Sequence, residues 1–218
     1  MEELQYELGN SIEVRERNVY EVFKRVFDVV SSIVVLILTS PLFILIAIAI
    51  RIESKGKVIF SHTRIGKNGV QFKVYKFRSM YENSDEIFEK FTEEQKKEYY
   101  KNFKLDNDPR VTKVGNFIRK TSLDELPQLI NIIKGDMSVV GPRPIVEKEI
   151  MKYGAYFEKV FSVKCGLTGY WQANGRSDTT YDERVMMDVY YVENRSLWMD
   201  MKVIFQTVIS VLKKDGAI

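Results

Sequence analysis

The feature that most constrains this chain is an apolar run from Val29 to Ile50, which contains 22 residues and no charge. As an α-helix it would be about 33 Å long at ~1.5 Å per residue, enough to cross the hydrocarbon core of a bilayer. A stretch rich in Glu and Arg precedes the run, and no small-residue cleavage site follows it, which is not typical of a cleavable signal peptide. Length and composition indicate a membrane segment, and one interpretation is a single transmembrane helix.

Two features favour a helix that enters the membrane and returns. Basic residues flank the run on both sides: Arg15, Arg17, Lys24 and Arg25 before it, and Arg51, Lys55 and Lys57 after it. A spanning helix carries its Lys and Arg excess at the cytoplasmic end only. Ser40 and Pro41 lie at the midpoint, where proline removes a backbone hydrogen bond and a serine hydroxyl can satisfy the freed carbonyl. These two residues are predicted to form a re-entrant break, although a kinked span is compatible with them.

Composition narrows the class of protein. The 218 residues suit one globular domain with an appendage, and 45% hydrophobic content allows a packed core. The net charge of +3 says nothing about partners. The single cysteine, Cys165, excludes an intramolecular disulfide, and the single histidine, His62, leaves little scope for a His-ligated metal. A hard metal ion held by carboxylates remains open.

The periodicity and turn signals predict an α+β fold that is mostly helical. The predicted elements are a helix from residue 18 into the apolar run, a β-hairpin over 58–77, an amphipathic helix over 84–103 capped by Ser84, a helix over 122–134 ended by Gly135, a loop-rich stretch over 139–176, and helices over 181–193 and 198–214. The last helix has a wide apolar face and a terminal Trp, typical either of an interfacial helix or of a core helix with basic C-terminal residues.

The sharpest chemical signal is the adjacent carboxylate pair Asp124-Glu125, which follows Arg119. A purely structural interpretation also fits, because Ser122-x-x-Glu125 matches a capping box and Asp124 would complement a helix N-terminus. Pro127 disagrees with that interpretation, since it would fall inside the helix. From this stretch alone, a capped helix is favoured over an active site.

Three other stretches present basic groups. Lys76 and Arg78 end the predicted hairpin, Arg143 lies between two prolines, and Arg176 ends a glycine- and aromatic-rich loop. A guanidinium presented by a rigid segment is suited to bind phosphate or carboxylate. Taken together with the carboxylate pair and the membrane segment, these stretches suggest phosphate chemistry on a lipid.

The chain resembles the bacterial sugar transferase family, the monotopic polyprenyl-phosphate phosphoglycosyl transferases, over about residues 18–216. The motifs that carry the resemblance are KRVFDVVSS, the SP pair, TRIGKNG, KFRSM, DPRVTKVGNFIRKTSLDELPQLINIIKGDMSVVGPRP and GLTGYWQANGRS. The C-terminal stretch from residue 178 is similar to the hexose-1-phosphate branch, whose members act on UDP-galactose or UDP-glucose. Larger relatives carry an N-terminal multi-span domain, and this chain resembles their catalytic part alone.

The resemblance implies an enzyme that moves hexose 1-phosphate from a UDP-sugar to undecaprenyl phosphate and releases UMP. It implies that Asp124 is the nucleophile, which forms a covalent phosphosugar intermediate, and that Glu125 assists. It also implies Mg²⁺ near Asp124. The basic motif positions and one nearby carboxylate are the candidate phosphate and substrate contacts: Lys76, Arg78, Asp108, Arg110, Arg119, Arg143 and Arg176.

The same resemblance implies a location and a set of partners. We expect an N-terminal tail over 1–17, a re-entrant membrane region over 18–57 and a cytoplasmic catalytic domain with interfacial helices over 58–218. The expected location is the cytoplasmic face of the bacterial inner membrane, in exopolysaccharide, capsule or O-antigen synthesis. The expected partners are the UDP-sugar, undecaprenyl phosphate, the inner leaflet and a second copy in a homodimer, without nucleic acid.

Two alternatives remain open at this stage. In the first, the transfer is a single displacement and Asp124 only binds the metal. In the second, the protein is a non-catalytic membrane scaffold that uses its amphipathic helices for assembly.

The re-entrant interpretation predicts the location of both flanks. A tag at residue 1 and a tag at residue 56 should both be cytoplasmic, because a re-entrant helix returns to the side from which it enters. Accessibility to a membrane-impermeant reagent, in intact cells and after lysis, measures this. Tags on opposite sides would establish a spanning helix instead.

Overall fold

The computed structural model describes residues 17–102, 105, 107–175 and 179–212. The helices are α1 (Asn18–Glu53), α2 (Ser84–Glu89), α3 (Glu93–Asn102), α4 (Lys113–Lys120), α5 (Gln128–Lys134), α6 (Ile150–Tyr153), α7 (Phe157–Val160), α8 (Tyr170–Asn174), α9 (Tyr181–Asn194) and α10 (Leu197–Leu212). The strands are β1 (Ile59–Ile65), β2 (Gln71–Phe77), β3 (Ser138–Val140) and β4 (Gly166–Thr168). The fold is therefore mostly helical with short strands, as predicted.

Helix α1 contains the whole apolar run and continues through Pro41 without interruption. Pro41 has no N–H for the carbonyl of Ile37, and the Ser40 hydroxyl donates to that oxygen at 2.8 Å. The re-entrant break predicted at Ser40 and Pro41 is therefore not a gap in the helix. The serine satisfies the freed carbonyl, so the helix continues. The bend predicted at this position stays a prediction.

Among the described residues, α1 is long and apolar enough to cross a membrane, and only 11% of its most apolar stretch is buried in the protein. Large apolar side chains along it are exposed, including Ile37 and Leu38 beside the proline. A contiguous apolar surface of this size is not stable in water, so it indicates association with a membrane.

Both the N-terminal third and the last turn of α1 contact the same folded body. Near its start, Arg25 donates to the carbonyls of Ile132 and Ile133 at the end of α5. In its last turn, the Glu53 carboxylate accepts the backbone N–H groups of Lys113 and Val114 at the start of α4. Each contact satisfies groups that a helix end leaves unpaired, so α1 is attached at two separated points.

The strands form two separate small sheets. The first is the predicted hairpin, in which β1 pairs antiparallel with β2 and Phe60 lies opposite Lys76. The second pairs β3 parallel with β4, inside the stretch predicted to be loop-rich. Three-residue strands are too short to give a period-2 pattern, so the sequence did not indicate them.

The predicted helix over 84–103 is two helices. Thr92 and Gln95 form a reciprocal pair of side-chain to backbone hydrogen bonds, which starts α3 as a new helix. Ser84 does not cap α2, because Asn83 occupies the position before the first turn. The helix predicted over 181–193 is confirmed as α9, with Thr180 as its side-chain cap.

The side chain of Asn131, which is fully buried, joins α5 to the hairpin. Its amide accepts from the backbone N–H of Tyr75 and donates to the carbonyl of Lys73. The carboxylate pair precedes α5 in the chain, so this contact fixes the pair relative to β2.

Helix α10 presents two apolar faces. Val203 is fully buried in the core formed with α9 and β3. On the other side Trp198, Met201, Phe205 and Val208 recur at helical spacing and are 47–80% exposed. The helix is therefore both a core helix and the carrier of an exposed apolar stripe.

A buried ion pair holds the N-terminal part of α1 to α10. Asp200 accepts from Lys24 at 2.8 Å, and from the hydroxyls of Tyr20 and Tyr191. Both charged side chains are at most 10% exposed. Removing one partner would leave the other charge buried without compensation.

We therefore expect Lys24→Met to lower the free energy of unfolding by about 3 kcal/mol. Chemical denaturation in detergent measures the change. Lys57→Met, at an exposed position after α1, should change it by less than about 0.5 kcal/mol. Equal effects from the two substitutions would show that the buried pair does not hold the helix.

Candidate active site

The carboxylate pair lies in a tight turn and not in a capped helix. Leu123–Glu125 form one 3₁₀ turn, and Ser122 before it has a left-handed backbone with φ of 56°. The Ser122 side chain makes no capping hydrogen bond. The capping-box interpretation was therefore wrong: Pro127 is the cap of α5, and the preceding residues turn instead of extending the helix.

Lys76 connects the two carboxylates. Its ammonium group, from the end of β2, lies 2.5 Å from Glu125 and 3.6 Å from Asp124. All three side chains are partly shielded from solvent, at 30%, 26% and 12% exposure respectively for Lys76, Glu125 and Asp124. The hairpin thus supplies the cation, and the turn before α5 supplies both anions.

The two carboxylates have opposite electrostatic environments. Burial raises the pKa of Asp124, and the neighbouring Glu125 charge raises it further, against the opposing charges of Lys76 and Arg119. Burial also acts to raise the pKa of Glu125, but the charges of Lys76 and Arg143, with hydrogen bonds from Lys76 and Gln128, outweigh it and lower that pKa. The pKa of Asp124 thus lies above the ordinary aspartate value and that of Glu125 below the ordinary glutamate value, so Glu125 is ionised at neutral pH.

Arg119 is positioned by a close approach of α4 to the chain after β2. Its Nε donates to the Ser79 hydroxyl at 2.7 Å. A Cβ at Gly115 would lie 2.0 Å from the Ser79 carbonyl, so only glycine permits this approach. The Arg119 charge acts to lower the pKa of Asp124, and its role as a phosphate contact stays a prediction.

Arg143 lies on the Gly141–Pro144 segment after β3. Its charge acts on Glu125. Within the described residues no hydrogen bond or ion pair occupies its guanidinium. The guanidinium of Arg64 on β1, in contrast, is paired and lies 3.9 Å from Glu149.

The sequence reasoning missed Arg64. Its charge acts on Glu125, and burial together with Arg143 lowers the pKa of its guanidinium. The available signal was its place in the TRIGKNG motif, on the strand that pairs with the one carrying Lys76.

The structure gives other contacts to two of the predicted basic-site residues, Arg78 and Arg110. Arg78 is buried and donates to the carbonyls of Ser54 and Lys55 after α1. Arg110 pairs with Asp108 at 2.6 Å, and its guanidinium lies over the rings of Phe88, Phe91 and Tyr99. Arg176 lies outside the described residues. Roles of these residues toward a substrate stay predictions.

The arrangement is suited to a phosphate group. It combines a buried carboxylate with a raised pKa, an ionised carboxylate and the nearby charges of Lys76, Arg119 and Arg143, which would neutralise an anionic reacting group. No group of three or more His, Cys, Asp or Glu side chains gathers in the part of the chain that the structure describes. Asp124 and Glu125 are thus the protein carboxylates available at this site.

Known proteins similar to this chain share most of its length. The family described as bacterial sugar transferase matches residues 19–214. The undecaprenyl-phosphate galactose phosphotransferase of Salmonella typhimurium (strain LT2) is 49% identical over 197 residues, which are 89% of this chain and 41% of that protein. The exopolysaccharide production protein ExoY of Rhizobium meliloti (strain 1021) is 47% identical over 197 residues, 89% of this chain and 87% of that protein.

A third relative acts on a different sugar. The UDP-glucose:undecaprenyl-phosphate glucose-1-phosphate transferase of Escherichia coli (strain K12) is 42% identical over 199 residues, 87% of this chain and 40% of that protein. The chain therefore spans about two fifths of the length of the Salmonella and Escherichia relatives.

The opposite pKa shifts predict opposite effects on stability at neutral pH. A carboxyl whose folded pKa is raised destabilises the fold once pH exceeds its unfolded pKa, so Asp124→Asn should raise Tm, by on the order of 2 °C. A carboxyl whose folded pKa is lowered stabilises the fold above its unfolded pKa, so Glu125→Gln should lower Tm. Thermal unfolding at pH 7 and again at pH 4, where both differences should shrink, tests this. Shifts of the same sign would contradict the described environments.

Proposed function

The chain belongs to the bacterial sugar transferase family, and on that premise we propose that it transfers hexose 1-phosphate from a UDP-sugar to undecaprenyl phosphate and releases UMP. The observation that carries the proposal is the buried carboxylate of Asp124, whose pKa is raised, beside the ionised Glu125 and close to the charges of Lys76, Arg119 and Arg143. The names of relatives that are 42–49% identical support the same substrates.

In the first half-reaction, an Asp124 oxygen attacks the phosphorus that carries the sugar. A bond forms between that oxygen and the phosphorus, the bond to the bridging oxygen breaks, and UMP leaves with that oxygen. Burial favours this role, because a carboxylate with a raised pKa is more basic and less stabilised by water. The product is a phosphosugar ester of Asp124.

In the second half-reaction, a phosphate oxygen of undecaprenyl phosphate attacks the same phosphorus. The bond to Asp124 breaks, the carboxylate is restored, and the lipid diphosphate sugar leaves. Two successive transfers at one site allow a water-soluble nucleotide and a lipid to use it in turn.

Glu125 is ionised at neutral pH before substrate binds, since Lys76 and Arg143 lower its pKa. We assign it the orientation of the acceptor phosphate or the handling of its proton. Lys76, Arg119 and Arg143 would neutralise the phosphate charges, which otherwise repel a carboxylate nucleophile.

The donor set at the site fits Mg²⁺ brought with a diphosphate. Mg²⁺ is usually held by one or two protein carboxylates together with substrate phosphates, and Asp124 with Glu125 provides that number. When bound, the ion would neutralise phosphate charge. Asp124 is the residue we expect to hold it.

The membrane arrangement is part of the proposal. Both attachments of α1 are made to one folded body, at Arg25 and at Glu53, which supports a helix whose two ends lie on the same side of the bilayer. The exposed stripe on α10 supports an interfacial position for that helix. We propose a monotopic protein on the cytoplasmic face, with the site open to the lipid phosphate.

The sugar is a hexose, and the relatives divide between galactose and glucose. The exopolysaccharide relative supports a role in the first membrane step of polysaccharide synthesis. A panel of UDP-sugars assayed for UMP release identifies the donor. Release of no UMP from any UDP-hexose would favour the scaffold alternative.

The covalent intermediate gives the sharpest test of the mechanism. Purified protein given a sugar-labelled UDP-hexose and Mg²⁺, but no lipid acceptor, should release about one UMP per site and retain the label on Asp124. Asp124→Asn should do neither. Asp182→Asn removes an exposed carboxylate in the first turn of α9, and it should behave like wild type.

A single displacement gives a different result in the same experiment. It would release no UMP until undecaprenyl phosphate is added, and no label would stay on the protein. That outcome would support the alternative in which Asp124 only binds metal.

A further inference from the structure

The first strand of the hairpin carries an exposed aromatic pair beside the site. Phe60 and His62 lie on β1, and their ring centroids are 6.3 Å apart. Phe60 is 54% exposed, and His62 is exposed as well. No step of the proposed reaction uses either ring, so their place beside the site calls for an explanation.

The register of the hairpin puts this pair on the same face as Lys76. Residues directly opposite each other in an antiparallel pair share one face of the sheet, and so do residues two apart along a strand. Phe60 lies opposite Lys76, and Arg64 follows His62 by two residues. The two rings therefore share a face with the guanidinium of Arg64 and with Lys76, whose ammonium group contacts Glu125 at 2.5 Å.

Helix α5 covers one half of this face and leaves the other half open. Val74, which lies opposite His62, is buried in one core cluster with Leu129 and Ile132 of α5. The strand that α5 covers is β2, which also supplies Lys76 to the carboxylate pair. The rings on the neighbouring strand β1 remain exposed, so this half of the face is accessible to a ligand.

His62 adds hydrogen-bonding atoms to the apolar surface of Phe60. Partial burial lowers the pKa of His62, and the charges of Arg64 and Lys76 lower it further, so the ring is neutral at neutral pH. A neutral imidazole has one donor nitrogen and one acceptor nitrogen. Uracil likewise has a donor, its N3–H, beside carbonyl acceptors, so the two polar edges are complementary. The Phe60 ring is a surface on which a base can stack.

The surroundings of the two rings favour a polar aromatic ligand over a lipid chain. Lys76 and Arg64 flank the rings on the same face, and Glu125 is in contact with Lys76. A lipid chain at this place would remove charged groups from water, which is costly. A nucleotide instead keeps its phosphates at the cations and places only its base on the rings.

We propose that Phe60 and His62 bind the uracil base of the UDP-sugar: Phe60 stacks on the base and His62 hydrogen-bonds to its polar edge, while the diphosphate lies at Lys76. The inference rests on the proposed function and deepens it, since it assigns the part of that substrate which does not react. The ribose joins the base to the phosphates, so one nucleotide extends from Lys76 along the face to these rings. The pair thereby selects a nucleotide over a bare diphosphate.

Calorimetry on the full chain in detergent with Mg²⁺ tests the stacking contact. Phe60→Leu should weaken UDP binding about tenfold, because leucine cannot stack on a base, whereas Phe60→Tyr keeps a ring and should stay within about threefold of wild type. Inorganic diphosphate has no base, so Phe60→Leu should bind it like wild type. Phe205→Leu removes an exposed ring from α10, and it should leave UDP binding unchanged.

A change in the ligand separates stacking from general damage. 5,6-Dihydro-UDP has a base that keeps its polar edge but is not aromatic. Wild type should bind it about tenfold more weakly than UDP, and Phe60→Leu should bind the two nearly equally, because the ring that distinguishes them is gone. His62→Leu should weaken the binding of both nucleotides alike, by about fivefold, because both present the same hydrogen-bonding edge.

The proposal is overturned if Phe60→Leu binds UDP like wild type, or if it loses UDP and inorganic diphosphate to the same extent. Phe60→Leu that binds UDP normally but no longer sediments with vesicles of phosphatidylethanolamine and phosphatidylglycerol would also overturn it, and would assign the ring to the membrane.

UMP release from UDP-hexoses judges the proposed function separately. Wild-type protein that releases UMP but binds UDP and 5,6-dihydro-UDP equally upholds that function and overturns the base site. Wild-type protein that prefers UDP, loses the preference in Phe60→Leu and releases no UMP upholds the base site and refutes the function.

Discussion

The ion pair on which the site depends is the contact of Lys76 with two adjacent carboxylates. Two anions in one turn repel each other, and burial penalises both, so the pair requires a cation held at fixed distance. Lys76 lies 1.1 Å closer to Glu125 than to Asp124, from 2.5 and 3.6 Å. Burial raises the pKa of Asp124, whereas Lys76 and Arg143 lower that of Glu125, so the two carboxylates lie in the different environments that different catalytic roles require.

The rest of the fold brings that contact together from distant parts of the chain. Asn131 fixes α5 against β2, so the carboxylates and Lys76 meet. Gly115 allows α4 to approach Ser79, which orients Arg119. Helix α1 is attached to the ends of α4 and α5, the two helices that flank the carboxylate turn. The membrane segment and the site therefore share one set of contacts.

The sequence predicted the elements that depend on interactions between residues close together in the chain. The long apolar helix, the hairpin and α9 follow from periodicity and turn residues. The prediction that Ser122 caps a helix was wrong. The same residues can form either a capped helix or a tight turn, and Pro127 favours the turn because it begins a new helix. The sequence at Thr92 also matches a capping box, which would have predicted that a new helix starts there. The sequence could not show whether Arg78 and Arg64 face the site or pair elsewhere, because their partners lie far along the chain.

The central claim is that burial raises the pKa of Asp124, while Lys76 and Arg143 lower that of Glu125. Titration of ¹³C-labelled side-chain carboxyls by NMR in detergent measures both groups directly, with Asp124→Asn and Glu125→Gln used to assign the signals. The account predicts that Asp124 titrates above the ordinary aspartate range and Glu125 below the ordinary glutamate range, and that Lys76→Met moves both upward. Ordinary values for both carboxyls, or a Lys76→Met variant that titrates like wild type, would contradict it.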